Sequence, residues 1–385
     1  MSNRITITER LDDIDAGEWN ALVDDDQPFL RHEFLAALER HGCVGEHWGW
    51  IPCHLTLRDE SDRLIGAAPL YRKLNSYGEF VFDWAWADAY QRHGLRYYPK
   101  LVGAVPYTPA SGPRLLAAPG HEAEAWSTLE NAARTLAERE RLSSLHWLFT
   151  PPRQTEWLRE QGYLVRTGCQ FHWHNAGHAG FDAYLATLTA KKRKNIRRER
   201  RQVREAGIRF RWLRGDQADA DDWAVFHRHY RSTFERKGGA ATLSLDFFHD
   251  IARRIGEHLL IVFALREQRP VAAAFSLIGA RTLYGRHWGC DERHQGLHFE
   301  TCYYQGLEYC LAHGLQRFEP GAQGEHKVSR GFLPTPTWSA HWLRETGFHD
   351  AIARFLVLET EGLEDYMKEL SAHSPFRQDP PGHSA

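Results

Sequence analysis

The sequence predicts an α/β or α+β protein, because helix and strand signals alternate along the whole chain. A strand-like run at 4–8 precedes a stretch at 29–40 whose apolar residues fall at helical spacing. Two segments, 54–71 and 261–277, each consist of two apolar runs around a charged turn, which is typical of a β-hairpin. These observations favour mixed sheets that are flanked by helices.

The two hairpins also indicate a weak internal repeat. Leu-Arg-Asp-Glu at 57–60 and Leu-Arg-Glu-Gln at 265–268 occupy equivalent turns, so we expect two halves of related topology that meet near the Gly-rich segment 174–180. The final residues are Pro-rich and polar without periodicity, which predicts disorder. The expected organisation is an N-terminal half at 1–178, a C-terminal half at 181–372 and a disordered tail at 375–385.

Composition is that of a globular protein long enough for two domains. The 385 residues are 42% hydrophobic and 25% charged, with a net charge of -2. The longest apolar stretches, such as 259–265, are far shorter than the ~18 residues of a membrane-spanning helix, and the first ten residues do not resemble a secretory signal. Six cysteines without a CxxC pair suit a reducing compartment. We therefore expect a cytoplasmic protein without a transmembrane segment.

Positive charge is concentrated between Lys191 and Arg201, where the sequence reads KKRKNIRRERR. Such a run in a nearly neutral protein favours an anionic partner such as a nucleotide, coenzyme A or RNA. The equally weighted alternative is a solvated helix at 190–206, with Ile196 and Val203 pointing inward. If the run binds phosphates, we expect the contacts to come from Arg193, Lys194, Arg197 and Arg198.

A crossover unit follows the second hairpin. The segment 281–289 continues as a strand, apolar residues from Phe299 to His313 fall on one helix face, and 315–319 is again strand-like. Gly314, just past the helix, is a typical stop. The helix start that this strand–helix–strand pattern predicts is suited to anions.

These elements together resemble the core of the GNAT acyltransferase superfamily. In that superfamily a Q/R-x-x-G-x-G/A loop holds the coenzyme A pyrophosphate at the helix start. Arg293, Gly296 and His298 occupy the corresponding positions here, but His298 stands where the family has a small residue. The resemblance implies a GNAT-like (acyl-CoA N-acyltransferase) fold with cofactor contacts at these three residues, while His298 argues against ordinary acetyl-CoA binding.

Longer blocks resemble a bacterial FemAB-like family linked to peptidoglycan biosynthesis or recognition. They lie at 69–90, 97–116, 192–201, 297–308 and 321–332. The resemblance implies a tandem GNAT-like fold with two mixed sheets. It also implies transfer of an amino acid from aminoacyl-tRNA to an amine of a peptidoglycan precursor, with an acceptor side in the first half and a donor side in the second.

The loop GAQGEHK at 321–327 concentrates polar groups directly after a strand, where loops commonly carry chemistry. In Fem-type enzymes a lysine shortly before a Gly-Phe-like pair is linked to function, and Lys327 has the comparable place. Its ammonium could stabilise an oxyanion or bind a phosphate, and Glu325 or His326 could accept the proton of an attacking amine. The alternative is a tight turn with solvated charges.

Other polar residues are candidates for substrate contacts. Asp83 lies among aromatic residues and could hold an amine or a sugar hydroxyl, or it could cap the helix that follows. A spacing typical of metal ligands occurs at His287, Cys290, His294 and His298. Glycines interrupt this segment, so we expect that it holds no metal. The expected substrate-binding residues are Asp83, Tyr284, Arg286, Gln323 and Arg330.

The sequence therefore predicts an acyl or aminoacyl transferase that acts on an amine without a covalent enzyme intermediate. The acyl donor would be an aminoacyl-tRNA, bound through the basic helix, or an acyl-CoA, and no cofactor would be bound permanently. Two alternatives stay open: an acetyl-CoA-dependent N-acetyltransferase, and a non-catalytic module that recognises a cell-wall precursor or RNA.

Overall fold

Helices and strands alternate through residues 3–322 and 324–377, the parts of the chain that the computed structural model describes. The first half contains β1 (Arg4–Thr8), α1 (Ala16–Asn20), α2 (His32–Arg40), β2 (Trp50–Pro52), β3 (His54–Arg58), β4 (Leu64–Ala68), β5 (Leu70–Lys73), α3 (Trp84–Arg92), β6 (Lys100–Gly103), β7 (Leu116–Ala117), α4 (Glu122–Arg139), β8 (Ser144–Thr150), α5 (Pro152–Glu160) and β9 (Leu164–His174).

The second half continues in the same mixed manner. It contains α6 (Phe181–Thr187), α7 (Ala190–Glu205), β10 (Ile208–Arg214), α8 (Ala220–Arg236), α9 (Leu245–Ile255), β11 (Leu259–Arg266), β12 (Arg269–Ile278), β13 (Thr282–Cys290), α10 (Leu297–Phe299), a π-helical segment (Glu300–Tyr304), α11 (Gln305–His313), β14 (Arg317–Glu319), a 3₁₀ segment (Glu325–Arg330), β15 (Leu333–Leu343) and α12 (Thr346–Ala372). The mixed α/β class that the sequence predicts is confirmed.

The chain divides into two compact units. Unit 1 comprises the described residues up to Gly168, together with Thr242–Ile255 and Pro336–Glu364. Unit 2 comprises Cys169–Ala241, Gly256–Thr335 and the described residues from Asp365 onward. Two segments from the second half of the chain thus belong to unit 1.

Unit 1 contains a four-stranded sheet in the order β1-β3-β4-β7 and a second set of strands in the order β8-β6-β5-β2. Most neighbours are antiparallel, but β6 and β8 are parallel, with Leu101 opposite Leu145. The connection between them contains α4, which buries Ala125, Leu129 and Ala133 in the core of the unit. This is a strand–helix–strand crossover.

Unit 2 contains strands in the order β10-β11-β12-β13-β14-β9. The pairs from β10 to β13 are antiparallel, whereas β13 and β14 are parallel and joined through the helical residues 297–313. The second unit therefore repeats the arrangement of the first: antiparallel strands followed by one parallel crossover. The repeat that the two hairpins indicate is confirmed at the level of topology.

The two hairpins differ in their turns, so the prediction of equivalent turns is wrong. The β11–β12 turn consists of Glu267 and Gln268, both with positive φ (50° and 66°), as a two-residue type I′ connection requires. The β3–β4 turn is longer, and the Asp59 carboxylate accepts hydrogen bonds from the backbone N–H groups of Ser61 and Arg63. The predicted first hairpin also ends at Ala68, because Pro69 has no N–H to continue the ladder.

The helix predicted from Phe299 begins at Leu297 and ends before Gly314, which has the expected left-handed backbone (φ 70°). The expected disorder of 375–385 does not hold for its first three residues. Phe376 bridges to Leu188 and packs into the core of unit 2, because its ring is apolar. The rest of that tail lies outside the described residues.

A buried polar network lies under the segment 76–84 of unit 1. The Lys100 ammonium donates to Ser76 Oγ (2.9 Å), to Glu79 Oε2 (2.8 Å) and to the Asp83 carboxylate. Tyr97 also donates to Asp83 (2.6 Å). Asp83 precedes α3, but its side chain makes no capping hydrogen bond, so the helix-cap alternative is wrong.

Within this network the positive charge of Lys100 lies against the carboxyl groups of Glu79 and Asp83. Burial raises the pKa of Glu79 to about 7, against the opposing effect of Lys100. Burial alone would also raise the pKa of Asp83, but the Lys100 ammonium holds it well below its usual value. Lys100 is thus the cation on which two buried carboxylates depend.

We expect Lys100→Met to lower the free energy of unfolding by about 3–5 kcal/mol, because it leaves two buried carboxylates without their cation. Urea unfolding followed by tryptophan fluorescence measures the change. Lys191→Met is the matched control, since Lys191 is exposed and its loss should change stability by less than about 0.5 kcal/mol. Equal effects of the two substitutions would contradict this account.

Candidate functional site

The candidate site lies in unit 2, where β13 and β14 separate. The parallel pairing extends from Thr282–Arg317 to Tyr284–Glu319, after which β14 ends while β13 continues to Cys290. The loop after β13 leads to α10, and the loop after β14 leads to the 3₁₀ segment at 325–330. Both loops that the sequence predicts to be functional therefore follow the carboxyl ends of parallel strands, the usual place for a ligand in such sheets.

Lys327 lies in the 3₁₀ segment and is almost fully buried, with 1% exposure. Its ammonium donates to the carbonyl oxygen of Gly321 (2.6 Å) and lies 6.0 Å from the ring centre of Tyr303. No carboxylate among the described residues pairs with it. Burial lowers the pKa of Lys327 to about 8. The amino group can therefore change its charge near neutral pH, which is common at functional sites.

Glu325 and His326 line a cavity of about 510 Å³ next to Lys327. The cavity is completed by Cys169 and Phe171 on β9, Ala322 and Gly324 in the loop, and Tyr366 on α12. Tyr366 donates to Glu325 Oε1 (2.7 Å), which fixes the carboxylate at the wall. Of the three predicted catalytic residues, which are consecutive in the chain, Glu325 and His326 thus lie at the cavity and Lys327 is buried directly after them.

His298 lies beside His326, so the two loops meet through their imidazoles. The ring centres are 6.4 Å apart, and both rings contact Tyr303, whose hydroxyl bonds His326 Nε2 (2.9 Å). Burial lowers the pKa of His298 to about 4, with His326 and Lys327 acting in the same direction. Burial also lowers the pKa of His326. Both imidazoles are therefore neutral at pH 7.

Gly296 precedes α10 with a left-handed backbone (φ 81°). A β-carbon there would lie 3.3 Å from the carbonyl oxygen of Glu199 on α7, so the glycine is explained by the turn and by the close approach of α7. His298 contributes a half-buried neutral ring to the first helical turn. Arg293 is exposed at the loop. An anion bound at these three positions would meet the N-terminus of α10 and one charged side chain, that of Arg293.

Arg330 holds the 3₁₀ segment in place rather than facing open solvent. Its guanidinium donates to Glu199 Oε1 (2.8 Å), to the Tyr304 hydroxyl (2.9 Å) and to the carbonyl oxygen of His326 (2.8 Å). It also lies 3.5 Å from the ring centre of Phe299. These contacts support a positioning role for Arg330, whereas the sequence predicts a substrate contact.

The remaining predicted substrate residues are dispersed. Tyr284 is buried and Arg286 half-buried on β13, near the point where β14 ends. Burial lowers the pKa of Arg286 to about 10, opposed by Tyr230 and Glu319, so the guanidinium stays charged at neutral pH. Asp83 belongs to the buried network of unit 1. Gln323 lies outside the described residues.

The basic run forms helix α7, with two distinct faces. Ile196 and Val203 are buried, as the alternative interpretation predicts. Arg200 also points inward, where it binds Glu300 and Glu308 (3.0 and 2.8 Å). The opposite face exposes six cations: Lys191, Lys194, Arg197, Arg198, Arg201 and Arg204.

The exposed cations of α7 are only weakly neutralised. Arg197 is 3.4 Å from Asp182, and Arg201 is 3.6 Å from Glu205. Lys191, Lys194, Arg198 and Arg204 have no acidic partner within residues 3–322 and 324–377. Arg193 is half-buried and donates to the carbonyl oxygen of Leu188 (3.4 Å), so it lies at the border of this face.

The residues with metal-like spacing have separate partners. His287 packs on Tyr230, His294 bonds Glu292 (2.9 Å), and His298 contacts His326. The described residues contain no group of three or more His, Cys, Asp or Glu side chains arranged to hold a metal ion.

Several residues of the site are not indicated by the sequence. Tyr366 and Cys169 reach the cavity from α12 and β9, which are far from the loop in sequence. Glu199 is the single acid within the basic run at 191–201, where it pairs with Arg330 and accepts a hydrogen bond from the Tyr304 hydroxyl. Tyr303 lies at a position that helical periodicity assigns to the core. No local pattern marks these four residues, because tertiary packing brings them to the site.

Two units that each carry antiparallel strands and one parallel crossover define the class of tandem GNAT-like proteins. FemX has the same fold, with a TM-score of 0.51 at 10% identity over 92% of this chain and 100% of its own. L-PGS from Bacillus licheniformis is similar, with a TM-score of 0.52 at 9% identity over 86% of this chain and 98% of its own. A tandem GNAT protein from the clavulanic acid biosynthesis pathway has a TM-score of 0.46 at 12% identity, over 89% and 98% of the two chains.

The chain belongs to the FemAB-like family of peptidoglycan biosynthesis or recognition, whose family model matches residues 10–378. The resemblance carried by the five sequence blocks is thereby confirmed. A comparison with curated proteins gave no significant match. All six cysteines are free thiols, and no described helix combines the length and apolar character needed to span a bilayer.

The buried amino group of Lys327 should make stability depend on pH. Its pKa is about 8 in the folded protein and about 10.4 in an unfolded chain, so the unfolded state binds more protons between these values. Stability of the wild type should therefore rise with pH through this window. We expect the wild type to gain about 3 kcal/mol relative to Lys327→Met between pH 7 and pH 10.5. Urea unfolding of both proteins across this range measures the difference.

A pH-independent difference between the two proteins would show that Lys327 titrates normally. Lys368→Met serves as the control, because Lys368 is exposed on α12 and should track the wild type at every pH.

Proposed function

We propose that this chain is an aminoacyl or acyl transferase that joins an activated acyl group to an amine of a peptidoglycan precursor. The observation that carries the proposal is the buried Lys327 ammonium, which directly follows Glu325 and His326 at the wall of the cavity in unit 2. Membership in the FemAB-like family supports the cell-wall acceptor. Unit 2, which carries these residues, would hold the donor.

The amine nitrogen of the acceptor attacks the ester carbonyl carbon of the donor. As the C–N bond forms, negative charge develops on the carbonyl oxygen, and the Lys327 ammonium stabilises it. One N–H of Lys327 bonds Gly321, which orients the group. The C–O bond of the ester then breaks, and the leaving alkoxide becomes a hydroxyl by taking the proton that His326 accepts from the amine.

His326 is proposed to accept the proton of the attacking amine. Its imidazole lines the cavity, and burial lowers its pKa, so at pH 7 it is neutral and able to accept a proton. One ring nitrogen is bonded to Tyr303, which leaves the other for proton transfer. Glu325, held by Tyr366, would orient the amine beside it.

The donor is proposed to be an aminoacyl-tRNA that binds the exposed face of α7. Six cations on one face of a single helix suit a phosphate backbone, which is bound through charge rather than sequence. An acyl-CoA donor is less well supported, because the His298 ring stands where a pyrophosphate loop needs a small residue and carries no charge at neutral pH. The free thiols support a cytoplasmic location.

Reversal of charge on α7 should abolish tRNA binding. We expect the double variant Arg197→Glu/Arg198→Glu to weaken binding by at least about tenfold and to reduce its salt dependence, because fewer phosphate contacts release fewer counterions. Gel shifts with charged and uncharged tRNA across a salt series measure this.

The matched control for the α7 variant is Arg231→Glu/Lys237→Glu, which makes the same change in charge at exposed positions of α8 and its C-terminus. Equal losses in both variants would indicate non-specific attraction. Absence of binding by the wild type at low salt would exclude tRNA and favour an acyl-CoA thioester.

Lys327→Met should lower kcat by about 10²–10³-fold, the usual cost of a lost oxyanion donor, and Lys327→Arg should retain part of the rate. His326→Gln should lower kcat by at least about 10²-fold. Wild-type activity should fall as pH rises above about 8, because Lys327 then loses its charge. The assay follows transfer of a labelled amino acid from charged tRNA to a stem peptide with a free side-chain amine.

Lys368→Met is the activity control, and thermal unfolding verifies the fold of each variant. Full activity of folded Lys327→Met and His326→Gln would contradict the mechanism. Absence of transfer by the wild type, together with tight binding of the precursor, would identify a recognition module.

A further inference from the structure

Unit 1 exposes an unusual group of large apolar side chains. All ten exposed large hydrophobic residues of the described chain belong to unit 1, and six of them fall between Leu74 and Leu95. Four of these six are aromatic: Tyr77, Phe80, Phe82 and Trp84. We call these four residues the aromatic surface. Scattered exposed apolar residues need no explanation, but a cluster in one short segment does.

The aromatic surface is held outward by the ion network beneath it. Along 76–84, Ser76, Glu79 and Asp83 point inward to Lys100, while the aromatic residues between them point outward. Tyr77 is 69% exposed and Phe82 58%. Because the buried carboxylates and their lysine fix the backbone between the rings, the rings cannot turn into the core without breaking these contacts.

Further contacts fix both ends of the aromatic surface. Tyr77 and Trp84 pack edge to face, with ring centres 5.0 Å apart. The Arg166 guanidinium donates to the carbonyl oxygen of Phe82 (2.9 Å) and pairs with Glu359 on α12 (2.7 Å). The surface is therefore a built feature and not the tip of a free loop.

The segment 74–96, which carries this surface, exposes two arginines and one acid. Arg92 and Arg96 are exposed on either side of exposed Leu95 and have no acidic partner among the described residues. Asp88 is the exposed acid of the same segment, since Glu79 and Asp83 are buried against Lys100. The three exposed apolar residues of α12, which begin at Phe355, lie among charged residues and are not counted in the surface.

We infer that the aromatic surface docks unit 1 onto the surface of a lipid bilayer that contains anionic lipids. Tyrosine and tryptophan favour the headgroup level of a bilayer, and phenylalanine and leucine favour the acyl boundary. Arg92 and Arg96 would face anionic headgroups. The protein would then lie on the membrane without crossing it, which agrees with the lack of a bilayer-spanning helix among the described residues.

A second copy of the chain is the competing occupant. Aromatic side chains bury about 150–250 Å² each, so four that are between 39% and 69% exposed offer roughly 400 Å², close to the apolar share of an interface of about 800 Å² per partner. The exposed Arg92 and Arg96 favour an anionic bilayer, because a second copy would bring its own arginines to the same surface. The inference is independent of the proposed transfer reaction.

Co-sedimentation of the full chain with vesicles tests the inference. We expect binding to vesicles of phosphatidylcholine mixed with phosphatidylglycerol, and weaker binding to phosphatidylcholine alone. Phe80→Asp/Phe82→Asp should reduce binding to the mixed vesicles by about tenfold or more. Arg92→Glu/Arg96→Glu should weaken binding to the mixed vesicles by a similar factor, so that the preference for phosphatidylglycerol is lost.

Ile7→Asp is the matched control, because Ile7 is an exposed apolar residue of unit 1 outside the 74–95 segment and should leave binding unchanged. Far-UV circular dichroism and the Tm verify that each variant is folded. Sedimentation velocity measures the oligomeric state of the wild type and of Phe80→Asp/Phe82→Asp. Failure of the folded wild type to bind mixed vesicles, equal loss with Ile7→Asp, or a dimer that the Phe variants dissociate would each overturn the inference.

Discussion

The candidate site depends on the ion pair between Arg330 and Glu199. Glu199 lies on α7, and Arg330 ends the 3₁₀ segment that carries Glu325, His326 and Lys327. The same guanidinium reaches the Tyr304 hydroxyl and the carbonyl oxygen of His326. One side chain thus connects the basic helix, the crossover helix and the turn. A buried guanidinium with this many partners has a single low-energy position, so the three elements are fixed relative to one another.

This arrangement explains why α7 is basic on its outward face and carries the acid Glu199 on its inward side. The inward side of the helix needs Ile196 and Val203 for packing, Arg200 for Glu300 and Glu308, and Glu199 for Arg330. None of these contacts uses the outward cations. The charge of the outward face is therefore not needed for these contacts.

Much of the fold follows from local sequence signals. The hairpins, the crossover helix and the stop at Gly314 are visible because periodicity and turn chemistry act over a few residues. The loop with Lys327 is also visible, since several polar groups follow a strand. What the sequence cannot give is the pairing of distant groups. The hydrogen bonds between Lys100 and Asp83 and between Tyr366 and Glu325 are examples. Each joins side chains that meet only after the sheets have formed.

The division of the chain into units has a consequence for its synthesis. Helix α9 and the segment Pro336–Glu364 come late in the sequence but belong to unit 1, where Phe247 of α9 packs on Phe34 of α2 (5.5 Å between ring centres). The first half leaves the ribosome before its own partners exist. The apolar surfaces that these two segments cover, such as the ring of Phe34, stay exposed until nearly the whole polypeptide has been made, so unit 1 cannot be completed in the usual order in which the N-terminal domain folds first.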